Sequence, residues 1–85
     1  MTTRLDSPLP QSPALDGERE IRLNGAPHRI PPSVGTLLQL VESVGCDPRA
    51  VAVEVNGAIV RRANLALTAV GAGDSVEIVR FVQGG

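Results

Sequence analysis

The amino-acid sequence predicts an α+β fold in which a mixed sheet of four to five strands packs on one main helix. Three patterns indicate it: short stretches that alternate polar and apolar residues, two Asn-Gly pairs that each separate two such stretches, and one run with helical spacing. With 85 residues, the chain has room for one small domain. One helix is enough to cover one face of such a sheet.

The first hairpin is predicted around Asn24-Gly25. Residues 20–23 alternate polar and apolar side chains, as half-buried strands do, and residues 27–30 would form the returning strand. Asn-Gly is typical of a type I′ turn, because both central residues of that turn need positive φ. Pro31-Pro32 would end the returning strand, since proline cannot donate to a ladder.

The main helix is predicted over residues 33–45. Ser33 and Thr36 are both suitable N-cap residues, and Gly45 suits the position just after the helix. The apolar residues at helical spacing share one face that would cover the sheet. They are Val34, Leu37, Leu38, Val41 and Val44.

The second half of the chain predicts the remaining strands. Residues 50–55 are rich in β-branched side chains, Asn56-Gly57 predicts a second hairpin, and residues 58–60 return. Residues 61–70 predict a short helical turn, and Asp74 is expected to cap the turn at residues 71–74. The last strand is predicted over residues 75–82.

Composition at the two ends sets the predicted domain boundaries. Residues 1–18 hold three prolines and no apolar period, which predicts a disordered N-terminal tail. The domain would then span residues 19–83. Gly84-Gly85 would follow as a flexible tail, because glycine adds no side chain to a core.

Composition also excludes several classes of function. The net charge of −1 and a single aromatic residue, Phe81, argue against a nucleic-acid partner. No apolar run approaches the length of a bilayer span, so no membrane partner is expected. The N-terminus lacks an apolar signal core, and the single Cys46 cannot form an internal disulfide. We therefore expect a cytoplasmic protein.

No group of residues predicts an active site built in a pocket. His28 lies in a short predicted strand, and Cys46 has no histidine near it in the sequence, so both are expected to be unreactive. The carboxylates are scattered and expected to be solvated. No Cys/His cluster offers metal ligands, and residues 71–74 lack the spacing of a phosphate loop, so no bound metal or cofactor is expected.

The remaining candidate is Gly84-Gly85, which a frayed chain end would also explain. A terminal carboxylate is ionised at neutral pH and is a poor electrophile. Adenylation by ATP would convert it into a mixed anhydride, and attack by a sulfur donor would then give a thiocarboxylate. Glycine suits an arm that enters other enzymes' active sites, because the missing Cβ permits close approach.

Several stretches of the chain together carry a resemblance to a known family. They are Leu23-Asn24-Gly25, VEVNGAIV at 53–60, Arg62, GDSVEIV at 73–79 and VQGG at 82–85. In order and spacing, residues 21–85 resemble the ThiS family of sulfur carriers in thiamine biosynthesis. The combination is much more specific than the two glycines alone.

The resemblance implies a β-grasp, ubiquitin-like fold and a function for Gly85. A ThiF-like enzyme would use ATP to adenylate its carboxylate, and a donor such as a cysteine desulfurase would supply the sulfur. The thiocarboxylate would then pass sulfur to thiazole synthase, ThiG. On this interpretation the chain is a monomer when free and a protein co-substrate, not an enzyme.

Three other functions stay open. A MoaD-like small subunit of molybdopterin synthase shares the fold and the two glycines, but its tail usually carries prolines that residues 81–83 lack. A ubiquitin-like modifier would be joined to target amines, although the absence of Lys rules out chains built on its own ε-amines. A plain β-grasp binding domain would give the glycines no function.

Strand parity predicts a partner-binding surface. Alternate side chains of the last strand point to opposite faces, so Val76 and Ile78 would face the helix. Val79 and Phe81 would then be exposed apolar groups just before the tail, unless a twist tucks Phe81 into the edge of the core. The predicted partner-binding residues are Val79, Phe81, Val82 and Gln83.

Overall fold

The computed structural model describes residues 17–81, which fold into a five-stranded mixed sheet with a helix across one face. The elements are β1 (Arg19–Leu23), β2 (Ala26–Ile30), α1 (Leu37–Ser43), β3 (Val51–Val55), β4 (Ala58–Val60) and β5 (Ser75–Arg80), with 3₁₀ segments at Pro48–Ala50 and Arg62–Leu67. The strands lie in the order β2-β1-β5-β3-β4. Strands β1 and β5 are parallel and the other neighbours are antiparallel. The α+β prediction is confirmed.

The last strand is shorter than predicted. It was expected to reach Val82, but its final ladder pair joins Arg80 to Val51 at the first residue of β3. Phe81 still donates its N–H to the carbonyl of Ala50 at 2.9 Å, where β3 has already given way to the 3₁₀ segment. Val82, the last residue of the predicted strand, lies outside the described residues.

Of the two predicted N-cap residues, Ser33 and Thr36, it is Thr36 that caps the helix, so α1 begins at Leu37 and not at residue 33. The Thr36 hydroxyl accepts the N–H of Gln39 at 3.2 Å, and the Gln39 side chain accepts the N–H of Thr36 at 3.1 Å. This reciprocal pair satisfies two N–H groups that a helix start otherwise leaves unpaired. Gln39 also accepts the N–H of Gly35 at 2.7 Å, which holds the preceding residue in place.

The helix ends at Ser43, and Gly45 lies just after the helix end, as predicted. The Gly45 φ of +83° lies in the left-handed region that glycine enters without strain. The N–H groups of Gly45 and Cys46 donate to the carbonyls of Glu42 and Val41 at 3.0 and 3.1 Å. These two bonds form a Schellman motif, which satisfies carbonyls that the helix end leaves free.

The helix face that covers the sheet differs from the predicted one. Leu40, which the prediction left out, is fully buried, whereas Leu38 and Val44 are only half-buried. The apolar spacing was counted from Val34, which lies outside α1. Counted from the true first residue, Leu37, the inward positions are i, i+3 and i+4. The largest fully buried side chains are Ile21, Ile30, Leu37, Leu40, Val41, Val53, Leu65 and Val76.

Both Asn-Gly hairpins are confirmed, and each asparagine also holds the central strand. Asn24 and Asn56 have φ of +51° and +52°, as a type I′ turn requires. The Asn24 amide accepts the N–H of Ile78 at 2.8 Å and donates to its carbonyl at 3.3 Å. The Asn56 amide accepts the N–H of Ser75 at 2.9 Å and donates to the Asp74 carboxylate at 3.2 Å. Side chains from both hairpins therefore fix β5.

The start of the domain is tied down by charged side chains. Glu18, within the predicted tail, forms an ion pair with Arg29 at 3.5 Å. The Arg19 guanidinium donates to the carbonyls of Pro31 at 2.8 Å and Val70 at 3.0 Å, joining β1 to two connections. Residues 1–16 lie outside the described residues, and their predicted disorder stays a prediction.

No helix within residues 17–81 has the length and apolar character needed to cross a bilayer. The helix α1 has seven residues, whereas a spanning helix needs about 20.

Replacing Asn24 by Gly should lower the free energy of unfolding by about 1 to 2 kcal/mol, because the backbone of Ile78 loses two partners. Glycine accepts the positive φ, so the change isolates the side-chain contribution. Thermal or urea unfolding measures it. Asn24→Asp keeps an acceptor for the Ile78 N–H, so its free energy of unfolding should lie between those of the parent chain and the Gly variant. A Gly variant as stable as the parent chain would show that the amide contributes nothing.

Candidate functional site

The candidate site is the end of β5 and the sheet face beside it. Strand β5 is central in the sheet, and Phe81, the last described residue, stands three residues before Gly84. The predicted site residues Val82, Gln83, Gly84 and Gly85 lie outside the described residues. What the structure describes is therefore the surface next to the start of the predicted tail.

The parity prediction for β5 is confirmed. Val76 and Ile78 are 0% and 8% exposed, whereas Val79 and Phe81 are each 57% exposed. Phe81 is not tucked into the core, because β5 stays regular up to its pair with β3 at Arg80 and so keeps its alternation. Two apolar side chains thus lie on the solvent-facing side of the sheet.

Neighbouring strands enlarge this apolar surface. Ala52 of β3 lies directly opposite Val79, and Ile59 of β4 is 73% exposed on the same face. We call Ala52, Ile59, Val79 and Phe81 the sheet patch. Sequence reasoning missed Ile59, although alternation within residues 58–60 indicates it, since Val60 packs against the core.

A basic cleft borders the sheet patch. It has a volume of about 290 Å³ and is lined by both Ile59 and Phe81. Three guanidinium groups line it as well: Arg49, Arg61 and Arg62. Arg49 is held by Asp47 at 3.3 Å, and this hydrogen bond keeps the pKa of the Asp47 carboxyl below its usual range.

An acidic pair borders the patch on its other side. Glu77 of β5 lies directly opposite Glu54 of β3, and Glu54 in turn lies opposite Ile59 of β4. Like charges directly opposite each other on one face of a sheet destabilise the pairing. The exposed face thus carries apolar side chains between carboxylates and guanidinium groups, and the carboxylates repel each other.

The other candidate side chains lie apart from the sheet patch. His28 is half-buried in β2, opposite Ile21. Cys46 is a half-buried free thiol, with the Arg80 guanidinium 3.9 Å from its Sγ. The Asp74 carboxylate accepts the N–H of Gly71 at 2.8 Å, so it caps its turn as predicted. Residues 17–81 bring together no group of three His, Cys, Asp or Glu side chains able to hold a metal ion.

Comparison with known proteins decides the family. The model of the ThiS family matches residues 21–85, most of the chain. The chain belongs to the ThiS family.

Solved ThiS structures share the fold. A crystal structure of the thiamine biosynthesis protein ThiS from Geobacter metallireducens is 28% identical and superposes with a TM-score of 0.66, covering 78% of this chain and 99% of that chain. A solution NMR structure of a thiamine biosynthesis protein from the same organism is also 28% identical, with a TM-score of 0.65 and coverages of 78% and 87%. The predicted β-grasp fold is confirmed.

A longer relative is similar to this chain over part of its length. A thiazole synthase of Magnetococcus marinus is 39% identical over 67 residues, which is 78% of this chain. This ThiS-family chain spans only 20% of that protein's length.

Glu77→Gln should raise the free energy of unfolding by a few tenths of a kcal/mol to about 1 kcal/mol, because it removes the repulsion from Glu54. Thermal unfolding at low ionic strength measures the gain. Salt screens exposed charges, so the difference should shrink as salt is added. Glu42→Gln, on the exposed side of α1, is the matched control. An equal change in both variants would show that the facing carboxylates do not interact.

Proposed function

We propose that this ThiS-family protein carries sulfur as a thiocarboxylate on Gly85 and delivers it for thiazole formation in thiamine biosynthesis. One observation carries the proposal: the family match continues through Gly84 and Gly85. The described residues also support it, because they offer no better place for the sulfur. Their one thiol, Cys46, is half-buried, so the tail is the better place for sulfur that must enter other proteins.

The proposed chemistry activates the Gly85 carboxylate in the active site of another enzyme. A ThiF-like enzyme binds ATP, and the Gly85 carboxylate attacks the α-phosphorus, forming an acyl adenylate and releasing pyrophosphate. The terminal sulfur of a persulfide on a donor such as a cysteine desulfurase then displaces AMP and forms an acyl disulfide. Two thiols of a reductant cleave its S–S bond, becoming a disulfide themselves, and leave the thiocarboxylate on Gly85 and a free thiol on the donor. The carrier itself binds no cofactor, and adenylation serves to convert a poor electrophile into a good one.

Within this scheme, the folded part of the carrier presents the tail from a fixed origin. Strand β5 is paired with β1 and β3, and the Asn24 and Asn56 side chains bond to its backbone. These contacts fix the direction of β5, so a partner that binds the sheet also places the tail. Four residues beyond Phe81 reach at most about 13 to 14 Å when extended, which suits a cleft close to the docking surface.

Thiazole synthase is the proposed acceptor of the sulfur. The Magnetococcus marinus thiazole synthase includes a segment similar to this chain. Joining two activities in one polypeptide raises their effective concentration, which is useful where one must meet the other repeatedly. This arrangement supports a ThiG enzyme as a partner of the present chain.

The sheet patch is the proposed docking surface for the ThiF-like enzyme. Exposed apolar patches on small proteins commonly mark interaction sites, and buried aromatic anchors such as Phe81 often dominate their binding energy. The guanidinium groups on one side and the Glu54–Glu77 pair on the other would set the orientation of the partner. A basic group of the enzyme between the two carboxylates would relieve their repulsion.

Incubation with a cognate ThiF-like enzyme, ATP and a sulfur donor should raise the intact mass by the exchange of one oxygen for sulfur. Deleting Gly85 should abolish the mass change, because the chain then ends on a different carboxylate. Mass spectrometry of the whole protein measures it. Cys46→Ser should still be loaded. Sulfur on Cys46 in place of Gly85 would overturn the proposal, and so would isopeptide conjugates as the product.

Val79→Asp combined with Phe81→Ser should weaken binding to the ThiF-like enzyme by more than ~1.4 kcal/mol, which is tenfold in affinity. Both side chains are exposed, so the thermal midpoint should change little. Calorimetric titration measures the affinity. Leu67→Ser is the matched control, because Leu67 is 81% exposed on a 3₁₀ segment outside the sheet. Unfolding of the double variant, with binding retained in its folded fraction, would place Phe81 in the core and remove the patch.

A further inference from the structure

The central strand has an open edge beside its last residues. Strand β1 runs parallel to β5, but their pairing ends at Leu23 opposite Val76, after which the chain turns away through Asn24-Gly25. Strand β5 continues to Arg80. The far half of β5 therefore has β3 on one side and no strand on the other within residues 17–81.

The Asn24 side chain takes the place of one further residue of β1 beside β5. Its amide both accepts from and donates to the backbone of Ile78, as a residue of a neighbouring strand would. An amide side chain carries the same donor and acceptor as a peptide group, so it satisfies Ile78 fully. The open edge begins just after that residue.

Strand geometry leaves the Arg80 backbone on this edge. Backbone groups of alternate residues point to opposite sides of a strand. The backbone N–H and C=O groups of the odd-numbered residues of β5 point toward β3, since the Ser75 carbonyl accepts from the Asn56 N–H and the Phe81 N–H donates to Ala50. The backbone N–H and C=O of Arg80, like those of Ile78, therefore point away from β3, toward the open edge. In the described part of the chain, no strand is placed to pair with its N–H and C=O.

A groove that is lined by apolar residues and by Arg80 and Glu77 runs along the open edge. It has a volume of about 680 Å³, and its apolar lining includes Leu23, Val44 and Ile78. Arg80 is exposed, and the Cys46 sulfur at 3.9 Å is the one polar contact of its guanidinium among residues 17–81. No carboxylate of the described residues lies within ion-pairing distance of it.

We propose that an extended acidic segment of the ThiF-like enzyme adds to this edge as a strand. Its backbone pairs with the N–H and C=O of Arg80, a carboxylate meets the guanidinium, and an apolar side chain enters the groove. The proposal rests on the proposed function, because the enzyme that adenylates Gly85 must grip the chain within five residues of this edge. It is the first enzyme to receive the tail.

The charge and composition of this chain argue against two other occupants. A second copy paired antiparallel about Arg80 would set two guanidinium groups directly opposite each other, which is destabilising. The chain's own residues 1–16 contain Pro8, Pro10 and Pro13, and proline has no N–H to give to a ladder. A partner segment with a carboxylate lacks both defects.

Amide hydrogen exchange of the full chain tests the strand addition. In the free protein, the Arg80 amide should exchange quickly, whereas the Phe81 amide, bonded to Ala50, should exchange slowly. On binding the cognate ThiF-like enzyme, the Arg80 amide should slow by at least tenfold. An Arg80 amide that still exchanges quickly in the saturated complex overturns the proposal.

Two variants separate the backbone bond from the charge. Arg80→Ala removes the cation and should weaken binding about three- to tenfold. Arg80→Pro also removes an N–H that β3 does not use, and should weaken binding by a further three- to tenfold. Equal affinities of the Ala and Pro variants, both with parental thermal midpoints, overturn the strand addition.

Failure of this inference differs from failure of the proposed function. Sulfur loaded on Gly85 with an unprotected Arg80 amide leaves the carrier function intact and removes only the added strand. If the enzyme does not bind the chain, and Gly85 never gains sulfur, both are overturned.

Discussion

Two asparagine side chains hold the strand on which the rest of the molecule depends. Strand β5 separates the two hairpins, and each hairpin reaches it with a turn amide, Asn24 at Ile78 and Asn56 at Ser75. Asparagine suits both tasks, because it tolerates the left-handed backbone of the turn and carries a peptide-like amide. The same two residues therefore close the hairpins and complete the sheet.

A fixed central strand gives its two faces different roles. Val76 and Ile78 point inward toward the side of α1 and belong to the core, so their packing holds the strand in place. Val79 and Phe81 point outward, where they add nothing to that core. Because the outward pair stands next to the tail in the sequence, a partner that covers it also comes within reach of Gly85.

Sequence reasoning succeeded where structure is local and failed where it depends on distant contacts. Each hairpin follows from a two-residue turn, and the end of the helix follows from Gly45. The two N-cap residues that the sequence offers, Ser33 and Thr36, are resolved in favour of Thr36 by its local bonds with Gln39, whereas the inward position of Leu40 was missed. The bond from Asn24 to Ile78 spans 54 residues, and no local pattern indicates it.

The exposed face of the sheet suits a carrier that must leave each partner. The sheet patch has four apolar side chains, one of them only alanine, and charged residues border it on both sides. Burying so small a patch yields modest affinity, since association first has to offset lost translational and rotational freedom. Complementary charges around it speed encounter more than they strengthen the complex. A carrier that binds an activating enzyme, a sulfur donor and an acceptor in turn needs fast association and modest affinity.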